Sequence, residues 1–130
     1  MSQGLIPGRF ILVVDDSPAV LRSTVLVLQA RTRLGVVGFA SSRQALSHCR
    51  AQSPWLAVLD VRMPEMDGVA LARRLRGLDP SLPIVFLTGS PRDVRRRSVT
   101  AAFEPPFVVV AKPATAAAVL EAVNTAMARR

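Results

Sequence analysis

Leu56-Ala57-Val58-Leu59-Asp60, followed by Val61-Arg62-Met63-Pro64 and then Asp67-Gly68, is the stretch that decides the fold. Four apolar residues run straight into an acid, and Pro54 and Pro64 bound the run. A short, continuous apolar segment of this kind reads as a strand buried on both faces, the pattern of a parallel sheet. A carboxylate at its last position stands where the strand ends and solvent begins. That edge is where open α/β sheets bind ligands. On this segment alone, Asp60 reads equally well as an ordinary strand terminator.

The same pattern recurs upstream. Phe10-Ile11-Leu12-Val13-Val14 ends in Asp15-Asp16. Ser17-Pro18 supplies a helix N-cap with proline in the first turn, and the helix is expected to run to about Arg31. Val20, Thr24, Val27, Leu28 and Arg31 follow one helical line, and Leu21, Val25 and Leu26 widen the apolar arc. Gly35 closes this region, Val36 to Phe39 forms a short strand, and Ser41-Ser42 caps a second helix to about Ala51. His48 and Cys49 on that helix read as packing or surface residues.

Downstream of Asp60, Asp67 caps a third helix from Gly68 to about Leu78, with Val69, Leu71, Ala72 and Leu75 inward, and Asp79-Pro80 breaks it. Pro83 to Leu87 is a fourth strand ending in Thr88. A basic helix from about Pro91 to Ala102 follows, and Pro105-Pro106 stops it. Phe107 to Ala111 is a fifth strand leading into Lys112-Pro113, and Ala114 to Met127 is the last helix, anchored by Val119, Leu120 and Val123. Strands alternating with helices imply a parallel sheet covered on both faces. With 130 residues there is one domain, its core spanning about residues 9 to 128.

Composition narrows the function. Half of the residues are hydrophobic, which excludes a disordered chain. Cys49 is the only cysteine, so there is no disulfide framework and a reducing compartment is expected. Phe10 to Val14 is too short for a secretory signal and runs into two acids. No segment approaches the ~20 apolar residues of a membrane span. We therefore expect a soluble cytoplasmic protein without membrane contact. The net charge of +8 raises nucleic acid as a partner. The charge is spread along the chain, aromatic residues are few and tyrosine is absent, which argue against a base-stacking surface.

In a parallel sheet the strand ends share one edge. Asp15, Asp16, Asp60, Thr88 and Lys112, the only lysine, therefore converge. Clustered carboxylates raise one another's pKa unless a cation relieves them. A hard divalent ion with oxygen ligands does so, and Mg²⁺ suits a site that handles phosphate. A carboxylate can act as the nucleophile and become an aspartyl-phosphate. Metal, hydroxyl and ammonium together would neutralise the equatorial oxygens of the transferred group. A structural salt-bridge cluster accounts for the acids and the lysine but not for the threonine.

Four segments carry a resemblance: Val13-Val14-Asp15-Asp16-Ser17; Leu59-Asp60-Val61-Arg62-Met63-Pro64 with Asp67-Gly68; Phe86-Leu87-Thr88-Gly89; and Ala111-Lys112-Pro113. In order and spacing they resemble the signatures of receiver domains of two-component response regulators, and the likeness covers nearly the whole chain. It implies a flavodoxin-like, doubly wound five-stranded parallel sheet of order 2-1-3-4-5 with five helices. It implies Asp60 as the phosphorylated residue, and Asp15, Asp16, Asp60 and the backbone carbonyl of Arg62 as Mg²⁺ ligands. Thr88 would bind a phosphoryl oxygen and Lys112 would pair with its charge. The Lys112–Pro113 bond is expected to be cis. The donor would be a sensor histidine kinase or a histidine phosphotransfer protein, and catalysis would be limited to self-phosphotransfer and autodephosphorylation.

Two departures bear on switching. The position three residues before the lysine, commonly aromatic in these domains, is Val109, with Phe107 two residues earlier, so a switch pairing Thr88 with residue 109 lacks its ring. Ala102-Phe103-Glu104-Pro105-Pro106 replaces the usual small-residue turn before the fifth strand, which predicts an irregular or shifted fourth helix. Leu21 and Val25 are candidates for seating the donor's helices. Arg95 and Arg96, with the last helix, are candidates for an acidic downstream partner or a homodimer. A chain ending after its fifth helix reads either as a stand-alone receiver acting by docking or as the receiver half of a longer regulator. A phosphate-independent pseudo-receiver is the remaining alternative.

Overall fold

The structure, a computed structural model, describes residues 8–130, the side chain of Val99 excepted. Five strands alternate with five helices: β1 (Phe10–Val14), α1 (Pro18–Arg31), β2 (Gly35–Phe39), α2 (Ser42–Ala51), β3 (Leu56–Asp60), α3 (Gly68–Leu78), β4 (Ile84–Thr88), α4 (Pro91–Thr100), β5 (Val108–Ala111) and α5 (Ala116–Ala128). The strands are parallel throughout, in the order β2-β1-β3-β4-β5. The expected flavodoxin-like order is therefore the observed one.

The continuous apolar runs are explained by burial on both sheet faces. Every residue of β1, β3 and β4 is buried, whereas the edge strands β2 and β5 are mostly half-buried. Alternate residues feed two separate cores. Leu12, Val14, Ala57, Leu59, Ile84 and Phe86 pack under α2, α3 and α4, with Leu71, Leu75 and Phe103 among their partners. Ile11, Val13, Leu56, Val58, Val85 and Leu87 pack under α1 and α5 with Leu28, Val119 and Val123.

Helix starts follow local chemistry. The side chains of Ser17, Ser41, Asp67 and Thr115 accept hydrogen bonds from the amides of Val20, Gln44, Ala70 and Ala118, satisfying donors that a helix N-terminus leaves free. Thr115 makes α5 begin at Ala116 rather than Ala114. On α1 only Thr24 and Leu28 of the expected line are buried. Arg31 is exposed in the last turn, and Leu26 is 59% exposed, because one edge of the helix overhangs the edge strand β2. His48 is exposed with its ring against Phe10 and Phe39, and Cys49 is buried, as packing residues would be.

The fourth helix corrects an expectation. α4 is continuous over ten residues rather than irregular. The irregularity is confined to its exit, where Ala102 takes a left-handed conformation at φ 52° and the Phe103 amide donates to the Ser98 carbonyl at 2.7 Å. That closure normally uses glycine. Phe103 is thereby turned inward onto Phe86 and Phe107, with ring centroids 6.0 and 5.8 Å away. A buried aromatic anchor thus does the work of the missing small-residue turn.

Candidate functional site

The parallel register delivers the strand ends to one rim. Val14 lies beside Leu59, Asp60 beside Leu87, and Thr88 beside Ala111. Asp15 therefore leaves β1 next to the end of β3, and Lys112 leaves β5 next to Thr88. The Lys112 amide donates to the Thr88 carbonyl at 2.7 Å and extends the ladder one step beyond β5. The Lys112–Pro113 bond is cis, as is Pro105–Pro106.

Carboxylate oxygens of Asp15, Asp16 and Asp60 lie within 4.8 Å of one another. Asp15 and Asp60 are buried, while Asp16 is exposed. The Lys112 ammonium bridges the two buried acids, donating to Asp15 Oδ2 at 2.8 Å and to Asp60 Oδ1 at 3.1 Å. Asp15 also accepts from the Ser17 amide at 2.9 Å, and its own amide donates to the Phe39 carbonyl at 3.1 Å, which fixes the acid against the α1 N-terminus and β2.

One ammonium does not balance three acids. The Asp60 carboxyl is pushed up to about 6, first by burial and then by the negative charge of Asp15, against the opposing pull of Lys112. Burial pulls the Lys112 ammonium down, but its hydrogen bonds to Asp15 and Asp60 outweigh this and raise it. An oxygen-only cluster with surplus negative charge and one solvent-facing member suits a hard divalent cation. Asp15, Asp16 and Asp60 are the side chains that could hold one.

The loop after Asp60 is held by a close backbone approach. The Gly68 amide donates to the Val61 carbonyl at 2.8 Å. A Cβ at position 68 would stand 1.9 Å from the Asp60 carbonyl oxygen, so only glycine fits. The resemblance included Asp67-Gly68, and this contact is the physical reason glycine is needed there.

Thr88 is buried at the end of β4 and turned onto its own loop. Its hydroxyl donates to the Ser90 carbonyl at 3.2 Å and accepts from the Ser90 amide at 3.0 Å. Asp60, Arg62, Thr88, Gly89 and Ser90 line a cleft of about 230 Å³. The rim therefore brings together Asp15, Asp16, Asp60, Thr88 and Lys112, with Arg62 at the wall of the cleft.

The remaining candidates lie elsewhere. Val109 is half-buried on the α4 side of the sheet, in register with Phe86 rather than with Thr88. Leu21 and Val25, with Pro18, Leu26, Gly38 and Ala40, line an open hollow of about 390 Å³ where α1 overhangs β2. Arg95 and Arg96 are exposed on α4. One residue went unread in the sequence: Asp93, 2% exposed, which accepts from Arg62 Nε at 2.6 Å and from Arg96 at 2.5 Å. An acid three residues before an arginine on a helix is a visible signal. Its partner 31 residues away in sequence is not.

The profile of the response regulator receiver domain matches residues 11–124, a span holding all five rim groups. The chain belongs to that family. Among solved structures, this receiver domain is similar to a response regulator receiver protein from Sinorhizobium medicae WSM419, with a TM-score of 0.81 and 26% identity over 94% of this chain and 97% of that one. Among curated proteins it is similar to the C4-dicarboxylate transport transcriptional regulatory protein DctD of Rhizobium meliloti (strain 1021), 34% identical over 61% of this chain and 17% of that protein. It is also similar to the transcriptional regulatory protein ZraR of Escherichia coli (strain K12), 41% identical over 60% of this chain and 18% of that protein. The chain spans under a fifth of the length of either regulator. Among the described residues, no helix is long and apolar enough to cross a membrane.

Proposed function

We propose that this receiver domain, its core spanning about residues 9 to 128, is a phosphoacceptor module. It takes a phosphoryl group on Asp60 from a sensor histidine kinase or a histidine phosphotransfer protein and signals by altered docking of its α4–β5–α5 face. The observation that carries the reading is the convergence of Asp15, Asp16, Asp60, Thr88 and Lys112 on one rim, where three acids cluster and a single ammonium bridges two of them. Family membership makes phosphotransfer the natural use of such a rim.

The roles divide by chemistry. Asp60 is the nucleophile. Asp15, Asp16, Asp60 and the Arg62 carbonyl would hold Mg²⁺, which when bound supplies charge neutralisation for the incoming phosphoryl oxygens. Lys112 pairs with the phosphoryl charge and leaves Asp60 free to react once a metal shares the negative charge. Thr88 exchanges its bond to the Ser90 carbonyl for one to a phosphoryl oxygen. Leu21 and Val25 would seat the donor's helices, since their half-buried side chains border the hollow beside the start of α1. Arg95 and Arg96 would meet an acidic partner or a second copy. Buried Cys49, whose thiol is pushed up to about 11 by burial, fits a reducing cytoplasmic setting and no redox role.

The test is incubation with acetyl phosphate, with and without Mg²⁺, followed by intact mass. We expect addition of one phosphate that depends on Mg²⁺ and is lost in Asp60→Asn. A protein that gains no mass under these conditions is a phosphate-independent interaction module instead.

A further inference from the structure

A receiver with valine at position 109 needs another route from the acid rim to α4, and the structure contains one. Arg62 lies two residues after Asp60, and its guanidinium holds the buried Asp93 carboxylate through Nε at 2.6 Å and a terminal nitrogen at 2.5 Å. Arg96 and Arg97, at 2.5 and 3.8 Å, also face Asp93, but both belong to the same helix, so these two contacts tie α4 only to itself. A second tie runs from Arg97 to the Asp67 cap of α3 at 2.9 Å. Arg62 is thus the residue that fastens the first turn of α4 to the loop leaving the phosphoacceptor strand.

The same first turn is held from the other side by Thr88. The Ser90 carbonyl accepts from both the Thr88 hydroxyl, at 3.2 Å, and the Asp93 amide, at 3.0 Å. Asp93 therefore sits at the meeting point of two contacts, one to each residue flanking the cleft. Arg62 also lines that cleft together with Asp60 and Thr88. A phosphoryl group there would be a dianion within the wall that Arg62 forms, and a guanidinium binds phosphate oxygens as a fork as readily as it binds a carboxylate.

We infer that Arg62 is a two-position link: it grips Asp93 when Asp60 is free and turns to the phosphoryl group when Asp60 is loaded, releasing the first turn of α4. Thr88 acts in the same direction, because a hydroxyl donating to phosphate no longer donates to the Ser90 carbonyl. The coupling does the work for which the aromatic side chain is missing at Val109. The inference rests on the phosphoacceptor reading of Asp60, and its test separates the two.

The experiment is hydrogen exchange of the α4 amides, residues 91–100, in wild type, Asp93→Asn and Arg62→Met, each with and without Mg²⁺ and beryllofluoride as the phosphoryl mimic. In wild type, loading lowers α4 protection about tenfold, the loss expected when local contacts that close a helix end are released. In Asp93→Asn, protection is already at the loaded level and loading lowers it no further. Arg62→Met repeats this result and stands in should Asp93→Asn lose protection in β1 and β3. A merely structural ion pair would lower protection in both states and leave the loading-dependent drop intact; that outcome overturns the link. So does a wild-type protein that takes up phosphate with no change in α4. A wild-type protein that takes up neither phosphate nor beryllofluoride removes the phosphoacceptor reading itself, and this inference with it.

Discussion

The rim has two sides built on different terms. On the carboxylate side, Asp15 and Asp60 leave the adjacent strands β1 and β3, and Lys112 reaches them from β5 across the end of β4, so all three are placed by the ends of strands in one parallel sheet. On the β4–α4 side, Thr88, Ser90, Asp93 and Arg62 meet through loops and a helix turn, and the contacts depend on individual side chains rather than on the sheet register. The first side is short of positive charge: one ammonium serves three acids. The second is rich in it, with Arg62, Arg96 and Arg97 around one buried carboxylate whose pKa is lowered by hydrogen bonds from Arg62 and Arg96. In the proposed function, chemistry belongs to the side where acids outnumber cations, and transmission to the side that has cations to redistribute.

Substitutions on the two sides should therefore differ in kind. The largest effect is expected from Lys112→Ala, which leaves Asp15 and Asp60 facing each other without their shared cation. Phosphorylation by acetyl phosphate should slow by about 10²-fold or more, the usual cost of deleting a preorganised charge at a reacting centre, as read by time-resolved intact mass. Lys112→Arg should also impair it, because a planar fork replaces a compact ammonium. Gly68→Ala forces a methyl group into the Asp60 carbonyl and should cost about 1–3 kcal/mol or more in urea melts, the range for overpacking against a backbone that cannot yield.

Asp60→Asn should act on stability as well as on phosphorylation, and with a definite pH dependence. The folded carboxyl titrates near 6, above its ordinary value of 3.8. Between those values the folded state binds more protons than the unfolded one, so the contribution of Asp60 to stability falls as the pH rises through that window. Without Mg²⁺, Asp60→Asn should be more stable than wild type by about 1–2 kcal/mol at pH 8 and no different at pH 3, as measured by denaturant melts at each pH. On the α4 side effects should be smaller. Arg97→Ala loses the partially exposed pair with Asp67 and should cost about 0.5–1 kcal/mol, shrinking as salt is added. Exposed Arg95→Ala should change stability by less than about 0.5 kcal/mol.

The two sides also differ in how legible they were. Apolar runs ending in acids at Val14 and Leu59, with Thr88 and Lys112 at later strand ends, define a parallel sheet whose edge gathers them, so strand order, the caps at Ser17, Ser41 and Asp67, and five rim residues followed from local pattern and resemblance, whereas the Thr115 cap did not. The Arg62–Asp93 contact was hidden because it joins a loop to a helix 31 residues later, a separation over which no periodicity operates. The helical line along α1 shows which residues share a face but not where the sheet beneath it ends, so the exposure of Arg31 at its far end is not legible from spacing. The fourth helix was expected to be disturbed for want of a small-residue turn. Burial of Phe103 against Phe86 and Phe107 stabilises that exit instead, an effect of tertiary packing that composition does not reveal.

The most direct test asks which carboxylate reacts. Phosphorylated protein reduced with borohydride, digested and sequenced by mass spectrometry should carry the modification on Asp60 alone, because Asp60 is the acid that ends a buried strand, is bridged by Lys112 and shares its cleft with Thr88. Modification of Asp15 or Asp16 in its place, or of no aspartate in protein incubated with Mg²⁺ and acetyl phosphate, would contradict the assignment on which every other role at this rim depends.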